Sequence, residues 1–292
     1  MNSPNPAAPA HQTGACRSGD VTLFYRRLGR PGAVPVVFVH GLSYFSWDWL
    51  EIAQAAGADR EVACLDMRGF GDSSWSAAKD YGVPTMGQDI VKLLDHLGWP
   101  RAVLCGHSMA GRGAIFAAAK HPERAAGLVL VDFSPESSPA GTKRIASIVA
   151  GIPDVFATIE DAMAYFKAGP DKRERFLAYL KPAAGGLCVK RDTHFRDQFR
   201  KMLETGERPK LGVDLWQLLG EVRCPILSLR GLRSDMYLAE TMPRMKTANP
   251  RLRIAEVDAG HNIAGENPQG FLAAMRPFLN ELKEPSYEHQ GR

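Results

Sequence analysis

Ser108 lies in a sequence pattern that could turn its hydroxyl into a nucleophile. The apolar run 102–105 leads into Gly106-His107-Ser108-Met109-Ala110-Gly111, and a second apolar run follows at 114–119. A buried strand that turns through small-x-Ser-x-small into a helix holds the serine in a strained turn and presents its hydroxyl. The N-terminus of that helix favours developing negative charge. The pattern therefore predicts a nucleophile elbow, with Ala110 standing where glycine is usual.

A serine hydroxyl is a weak nucleophile without a base, and His261 has the position expected of that base. The chain has eight histidines, but only His261 follows the last predicted strand in a glycine-containing loop, at 258–262. A short loop at the carboxyl end of a strand can place an imidazole beside the serine. We therefore expect His261 to accept the proton of Ser108.

Two aspartates compete to orient that imidazole, a task that needs a carboxylate next to the ring. Asp132 ends the predicted strand 128–131, and Asp235 follows the predicted strand 226–229. Both strand ends lie at the same edge of a parallel sheet as Ser108. Asp132 could instead cap a turn, and Asp235 could cap a helix. The residues alone leave both carboxylates as candidate acids.

Backbone donors at two turns could hold the oxyanion that forms when the serine attacks a carbonyl. One donor is the N–H of Met109, directly after the nucleophile. The other is the N–H of Leu42, in the turn after the predicted strand 35–40. Gly41 in that turn lets the backbone approach a substrate closely. We expect these two N–H groups to form an oxyanion hole.

Substrate-binding residues are predicted around the same turns, at Gly41, Ser43, His107 and Arg112. Arg112 comes just past the elbow and is either a helix-surface cation or part of a site for an anionic substrate. Several aromatic residues could line an apolar pocket, although aromatic residues at helical spacing are more often part of the core. They are Phe156, Tyr165, Phe166, Trp216, Trp47 and Trp49.

These residues need a sheet whose strand ends meet at one edge, and the chain alternates strand and helix patterns as such a sheet requires. Strands are predicted at 21–28 as an edge strand and at 35–40, 60–66, 102–105, 128–131, 226–229 and 252–257. Helices are predicted at 47–56, at 85–97 with Thr85 as N-cap, and from near Met109, Leu238 and Pro268. The expected fold class is α/β, a mostly parallel, doubly wound sheet that binds ligands at the carboxyl ends of its strands.

The alternation stops between about 133 and 213, where amphipathic helices are predicted at 155–166, 173–180 and 195–203 without strands. Such an insertion at the ligand-binding edge is most simply a helical cap over the site, inserted after the sixth strand. The predicted organisation is a disordered tail at 1–20, a core at 21–134 and 214–283, the cap at 135–213 and a tail at 284–292.

Composition bounds the remaining classes of function. The 292 residues are 45% hydrophobic and carry a net charge of +4 without a basic block, so neither nucleic acid nor a membrane is expected as a partner. The sequence also lacks a signal-peptide pattern and an apolar run long enough for a membrane span. The five cysteines show no metal-ligand spacing and fit a reducing compartment. We expect a cytoplasmic protein with a small-molecule substrate, no metal and no cofactor, and leave open whether it forms a homo-oligomer.

As a set, these motifs resemble the α/β-hydrolase superfamily over about residues 21–282. The resemblance rests on His40-Gly41, on Asp66-Met67-Arg68-Gly69-Phe70-Gly71-Asp72-Ser73, on the elbow and on Gly260-His261. Most members take their acid from the loop after the seventh strand, but here Ser234 stands at the usual position and Asp235 one residue further. The segment Asp132-Phe133-Ser134-Pro135 is similar to members that take the acid after the sixth strand. The resemblance therefore favours Asp132.

The chemistry and the resemblance together predict a cofactor-independent serine hydrolase. It would cleave a carboxylic ester or amide bond of a small organic metabolite through an acyl-enzyme. One alternative is a C–C bond hydrolase of a vinylogous diketone from aromatic catabolism, which a Ser-Met-x-Gly elbow and a helical cap also suit. Another is a receptor-like protein that binds a ligand with little turnover.

Overall fold

A computed structural model describes residues 9–282 and places an eight-stranded sheet at their centre. The strands are β1 (Gln12–Ser18), β2 (Val21–Gly29), β3 (Ala33–Val39), β4 (Arg60–Leu65), β5 (Ala102–His107), β6 (Ala125–Val131), β7 (Leu180–Ala183), β8 (Gly186–Val189), β9 (Ile226–Gly231) and β10 (Leu252–Val257). The sheet order is β1-β2-β4-β3-β5-β6-β9-β10, and β7 and β8 form a separate hairpin. Strand β2 runs antiparallel to both of its neighbours, β1 and β4, and the other neighbouring strands of the sheet are parallel to each other. The predicted mostly parallel α/β sheet is confirmed.

Helices cover both faces of this sheet. The α-helices of the described chain are α1 (Leu50–Ala56), α2 (Val83–Leu97), α3 (Met109–Lys120), α4 (Pro139–Ala150), α5 (Ile159–Tyr165), α6 (Arg173–Tyr179), α7 (Thr193–Thr205), α8 (Leu215–Glu221), α9 (Thr241–Ala248), α10 (Ile263–Glu266) and α11 (Pro268–Glu281). Helices α2, α3, α8 and α9 pack on one face, and α1, α10 and α11 pack on the other. Between residues 9 and 282, no helix is both long enough and apolar enough to cross a bilayer.

The alternation of side chains along β3 shows why its sequence is a continuous apolar run. Val37 and Val39 belong to the core on the α2 and α3 side, and Val36 and Phe38 to the core on the α1 and α11 side. Successive side chains of a strand point to opposite faces, so a strand covered on both faces needs apolar residues at every position.

The prediction of a disordered tail over residues 1–20 was wrong for its second half. Residues 12–18 form β1, which pairs with β2 from Gln12 opposite Arg27 to Ser18 opposite Val21. Strand β1, and not the predicted 21–28, is therefore the edge strand. Its mostly polar sequence resembles a tail, but it is held by main-chain pairing and by burial of Cys16. Residues 1–8 and 283–292 lie outside the described residues, and so do the tails predicted there.

Several helix starts also differ from the prediction, and α5, predicted to begin at 155, begins at Ile159. Gly82, and not Thr85, is the N-cap of α2, and the Thr85 hydroxyl donates to Oδ2 of Asp80 instead. Pro84 in the first turn suits this earlier start, because its missing N–H has no helical partner there in any case. The segment predicted as a helix at 47–56 begins as a 3-10 turn, Ser46–Trp49, before α1. Helix α9 begins at Thr241, not near Leu238.

The segment inserted after β6 contains α4 to α7, and also the hairpin β7–β8, which the sequence did not predict. The hairpin turn has Gly185 at φ 84° and Gly186 at φ 150°, which are conformations that favour glycine. Its strands, Leu-Lys-Pro-Ala and Gly-Leu-Cys-Val, are too short and too poor in β-forming residues to give a pattern. The segment has a small core of its own, which includes Phe156, Phe176 and Tyr179 and packs on Phe45.

Candidate active site

The turn between β5 and α3 places Ser108 at the N-terminus of the helix. Ser108 has φ 51° and ψ −119°, a strained conformation for a residue with a side chain, and its N–H donates to the Val131 carbonyl over 2.9 Å. A Cβ added at Gly106 would lie 2.8 Å from the carbonyl oxygen of Ala110, so the turn requires glycine there. Ala110 itself is buried, and its methyl group fits where the family pattern has glycine. The segment has the geometry expected of a nucleophile elbow.

A chain of hydrogen bonds joins Ser108, His261 and Asp132. The Ser108 hydroxyl lies 2.9 Å from Nε2 of His261, and Nδ1 of the same ring lies 2.6 Å from Oδ2 of Asp132. A carboxylate only accepts, so Nδ1–H donates to Asp132 and leaves Nε2 to accept from the serine. The side chain of Asp132 is fully buried, whereas 13% of the His261 side chain is exposed. The structure thus brings together three residues that the sequence singled out.

The carboxylate of Asp132 is held from several sides. The N–H of Gly231 donates to Oδ1 over 2.9 Å, and the Ser234 hydroxyl donates to Oδ2 over 2.5 Å. Ser234 in turn accepts from the N–H of Met236 over 3.1 Å. Asp132 has φ 44°, which lies in the left-handed region where aspartate is better tolerated than most residues. These bonds fix the carboxylate against the ring of His261.

Asp235, the alternative acid, is not brought to His261. Its two carboxylate oxygens accept from Nε and Nη2 of Arg144 over 2.5 and 2.6 Å, and 43% of its side chain is exposed. The hydrogen bond from Arg144 lowers the pKa of Asp235. This ion pair joins α4 to the loop after β9. No sequence pattern indicates this ion pair, because the two residues lie far apart along the chain.

His107 was predicted to bind substrate, but its ring faces the protein. The ring is buried, and Nε2–H donates to the backbone carbonyl of His261 over 3.0 Å. Burial, and secondarily the nearby His261, lowers the pKa of His107 to about 3. A neutral ring can hold the His261 loop without placing a second charge beside it. His107 therefore positions the His261 loop in this structure, while Ser43 and Arg112 line the cavity.

The turn after β3 lies against the elbow. A Cβ added at Gly41 would lie 2.8 Å from Nδ1 of His107 and 3.3 Å from Cβ of Ser108. His40 fixes this turn, because its Nδ1–H donates to the Gly41 carbonyl over 2.8 Å and its Nε2 accepts from the N–H of Met67 over 3.0 Å. Leu42 and Met109 line the same cavity as Ser108. The backbone of both predicted oxyanion donors is therefore near the serine.

Asp66, in the motif after β4, accepts hydrogen bonds from the backbone next to this turn. Its carboxylate accepts from the N–H of Ser46 over 2.6 Å and from the N–H of Asp72 over 2.9 Å. Burial raises the pKa of Asp66, and burial lowers the pKa of the neighbouring His40. Asp66 thus holds the backbone at Ser46, which follows the turn of Gly41 and Leu42, and the backbone of its own motif at Asp72.

Ser108 and His261 open into a cavity of about 1090 Å³. Part of its wall comes from α4 and α7, within the predicted cap, and part from α8. Its apolar lining includes Met86, Ile145, Ile148, Phe199, Met202, Leu215 and Trp216. Of the aromatic residues predicted to line a pocket, Trp216 does so, whereas Phe156 and Phe166 belong to the small core of the inserted segment and Trp49 stacks on Phe38. Within residues 9–282, no group of three His, Cys, Asp or Glu side chains could hold a metal ion.

Comparison with known proteins gives consistent matches. The family model described as the alpha/beta hydrolase fold matches residues 34–201. A 3-hydroxybutyrate-oligomer hydrolase from Cupriavidus necator is 32% identical over 274 residues, which is 88% of this chain and 92% of the relative. An N-formylmaleamate deformylase from Pseudomonas putida is 28% identical over 91% of this chain and 96% of the relative. The crystal structure of E-2-(acetamidomethylene)succinate hydrolase superposes with a TM-score of 0.82 at 24% identity, covering 93% of this chain and 100% of that one.

Proposed function

Because the chain belongs to the α/β-hydrolase family and is similar over 88% of its length to a 3-hydroxybutyrate-oligomer hydrolase, we propose that it is a cofactor-independent serine hydrolase. It would cleave a carboxylic ester or amide bond of a small organic metabolite. The observation that carries the proposal is the hydrogen-bonded chain from Ser108 through His261 to the buried Asp132, which opens into a cavity.

In the first half of the reaction, Oγ of Ser108 attacks the carbonyl carbon while its proton passes to Nε2 of His261. Asp132 stabilises the imidazolium that forms, through the bond to Nδ1–H. The carbonyl oxygen becomes an oxyanion and accepts from the N–H groups of Leu42 and Met109. The dipole of α3 adds positive potential at the same place.

The first tetrahedral intermediate then breaks down. His261 donates the proton that it took from Ser108 to the leaving oxygen or nitrogen, and the C–O or C–N bond breaks to leave an acyl group on Ser108. A water molecule then loses its proton to His261 and attacks the acyl carbon. Collapse of the second tetrahedral intermediate releases the carboxylic acid, and His261 restores the Ser108 hydroxyl. The activities of the two relatives, hydrolysis of 3-hydroxybutyrate oligomers and removal of a formyl group, support a hydrolytic acyl transfer of this kind.

We also propose that residues 135–213 act as a cap and that the protein works in the cytoplasm. Support for the cap comes from α4 and α7, which supply one wall of the cavity. Support for a reducing compartment comes from the cysteines, which are all free thiols, with Cys16, Cys64 and Cys105 buried.

The test is the intact mass of the protein after exposure to a serine-reactive fluorophosphonate, with Ser108→Ala as the matched control. One adduct on the wild type and none on the variant would support an activated Ser108, and ester, amide and dienone substrates would then identify the bond cleaved. Turnover of the dienone alone would replace the ester or amide assignment by C–C hydrolysis. A folded wild type without adduct would contradict the proposal and favour a ligand-binding protein with little turnover.

A further inference from the structure

We propose that Arg112 binds a carboxylate of the substrate, so that the preferred substrates are esters or amides that also carry an acid group. This inference rests on the proposed function, because it concerns the substrate of the same site. Arg112 lies four residues after Ser108 on α3. Residues four apart lie on the same side of a helix, and helical side chains lean towards the N-terminus, here towards the serine. Both residues line the same cavity.

The charge of Arg112 has no counter-charge in the described part of the protein. Within residues 9–282, its guanidinium makes neither a hydrogen bond nor an ion pair with a carboxylate. Three other cations of the cavity wall are paired, since Arg144 binds Asp235, Lys79 binds Asp192 over 2.7 Å and Arg233 binds Asp258. Arg208 and Lys210 also line the cavity, but their side chains are exposed to solvent. Arg112 thus differs from these three neighbours in lacking a partner carboxylate.

Arg112 is also removed from much of the solvent, and this desolvation lowers the pKa of its guanidinium. An arginine remains protonated in proteins even so, and a partly desolvated cation gains more from an anion than a fully hydrated one does. Much of the cavity wall is apolar, which lowers the local dielectric further. The structure therefore holds a cation whose charge an incoming ligand could neutralise.

The chemistry of this cation favours a carboxylate as the ligand. A guanidinium presents two parallel N–H groups that match the two oxygens of a carboxylate. The single charge of Arg112 balances the single charge of that group, whereas a phosphate monoester carries nearly two. The ligand class is thus a small carboxylate whose ester or amide carbonyl lies within reach of Ser108.

Two pairs of chromogenic or ultraviolet-active substrates test this, and in each pair a methyl ester replaces one carboxylate and so removes its negative charge. The acyl pair is 4-nitrophenyl hydrogen glutarate and its methyl ester, and the leaving-group pair is 4-carboxyphenyl acetate and its methyl ester. In one of the pairs, Arg112→Gln should lower the kcat/KM ratio of acid to methyl ester by about 10- to 100-fold, the loss expected for a hydrogen bond to a charged group. Arg208→Gln, which removes an exposed cation from the same cavity, should leave both ratios unchanged.

The assignment would be overturned if Arg112→Gln left the acid-to-ester ratio of kcat/KM unchanged in both pairs. This includes the case in which kcat/KM falls equally for the acid and the methyl ester. Arg112→Met, which keeps most of the aliphatic stem, is the second variant if the glutamine variant does not fold. A binding experiment separates this inference from the proposed function. Calorimetry with Ser108→Ala should show binding of glutarate that is lost when Arg112→Gln is added, whatever the fluorophosphonate result. Binding of inorganic phosphate without binding of glutarate would overturn the carboxylate assignment.

Discussion

The hydroxyl of Ser234 donates a hydrogen bond to Oδ2 of Asp132, the same oxygen that accepts from the ring of His261. Ser234 lies in the loop after β9, where most members of the family have their acid. Here that loop supplies a hydrogen-bond donor, and the carboxylate that it contacts, that of Asp132, comes from the end of β6. The two loops together therefore build the carboxylate side of the site.

Removal of this donor should weaken both the fold and the reaction. Ser234→Ala leaves a buried carboxylate short of one hydrogen bond, which should lower the free energy of unfolding by about 1–3 kcal/mol. A less firmly held Asp132 should also lower kcat, by about tenfold for a lost interaction of about 1.4 kcal/mol. Urea unfolding and ester hydrolysis measure the two effects.

The matched control is Ser137→Ala, which removes another hydroxyl from the cavity wall. The Ser137 side chain has no hydrogen-bond partner within residues 9–282, so its loss should change neither quantity appreciably. If the two variants behaved alike, Ser234 would not be positioning Asp132.

The two candidate acids should differ greatly in their effect on turnover. Asp132→Asn keeps the shape of the side chain but favours the wrong tautomer of His261, which in a serine protease costs about 10⁴ in kcat. Asp235→Asn removes one charge from a largely exposed ion pair with Arg144, so kcat should change by no more than about threefold, given an expected pair energy below about 1 kcal/mol. The measurement is kcat for one ester, with circular dichroism to show that both variants fold. The reverse order of the two losses would mean that Asp235 is the acid.

The parts of the site that the sequence predicted are those that depend on local pattern. The elbow follows from small residues around Ser108 between two apolar runs, and His261 follows from its place after the last strand of the sheet. Parallel strands bring their carboxyl ends to one edge, so these local patterns also fix which residues can meet. The residues alone left both Asp132 and Asp235 as candidate acids, and the preference for Asp132 came from the family resemblance.

The parts that the sequence did not predict depend on contacts between distant segments. Strand β1 has a polar sequence that becomes a strand only by pairing with β2. The ion pair of Arg144 with Asp235 joins two segments that have no common periodicity. His107 adjoins the nucleophile, but only the packing shows that its ring is buried and bonds to the backbone of His261.

Acid should destabilise the protein partly through His107. Burial lowers its pKa in the folded state to about 3, below the ordinary value of 6.5. Below pH 6.5 the unfolded chain therefore binds a proton that the folded protein does not, so the free energy of unfolding falls by up to about 1.4 kcal/mol per pH unit from this group. The fall should begin near pH 6.5 and continue towards pH 3.

His107→Gln isolates this contribution, because glutamine can still donate to the His261 carbonyl but does not titrate. Between pH 6.5 and 5, the variant should lose up to about 2 kcal/mol less of its unfolding free energy than the wild type loses. Urea unfolding at several pH values gives the comparison. From pH 7 to 8 the unfolding free energies of the two proteins should change in parallel with pH. If they also changed in parallel down to pH 5, His107 would be taking up its proton in the folded state.

The nucleophile elbow should be disrupted by Gly106→Ala and should tolerate Ala110→Gly. Gly106→Ala places a methyl group 2.8 Å from the carbonyl oxygen of Ala110, where only movement of the backbone can relieve the contact. This overpacking should cost about 1–3 kcal/mol of unfolding free energy and displace Ser108, so that most of the fluorophosphonate labelling is lost. Ala110→Gly restores the usual family residue and should cost no more than about 1 kcal/mol, the helix penalty of glycine, with labelling retained. Labelling rates and urea unfolding of both variants test this, and a Gly106→Ala protein that labels at the wild-type rate would show that the turn can widen without moving the serine.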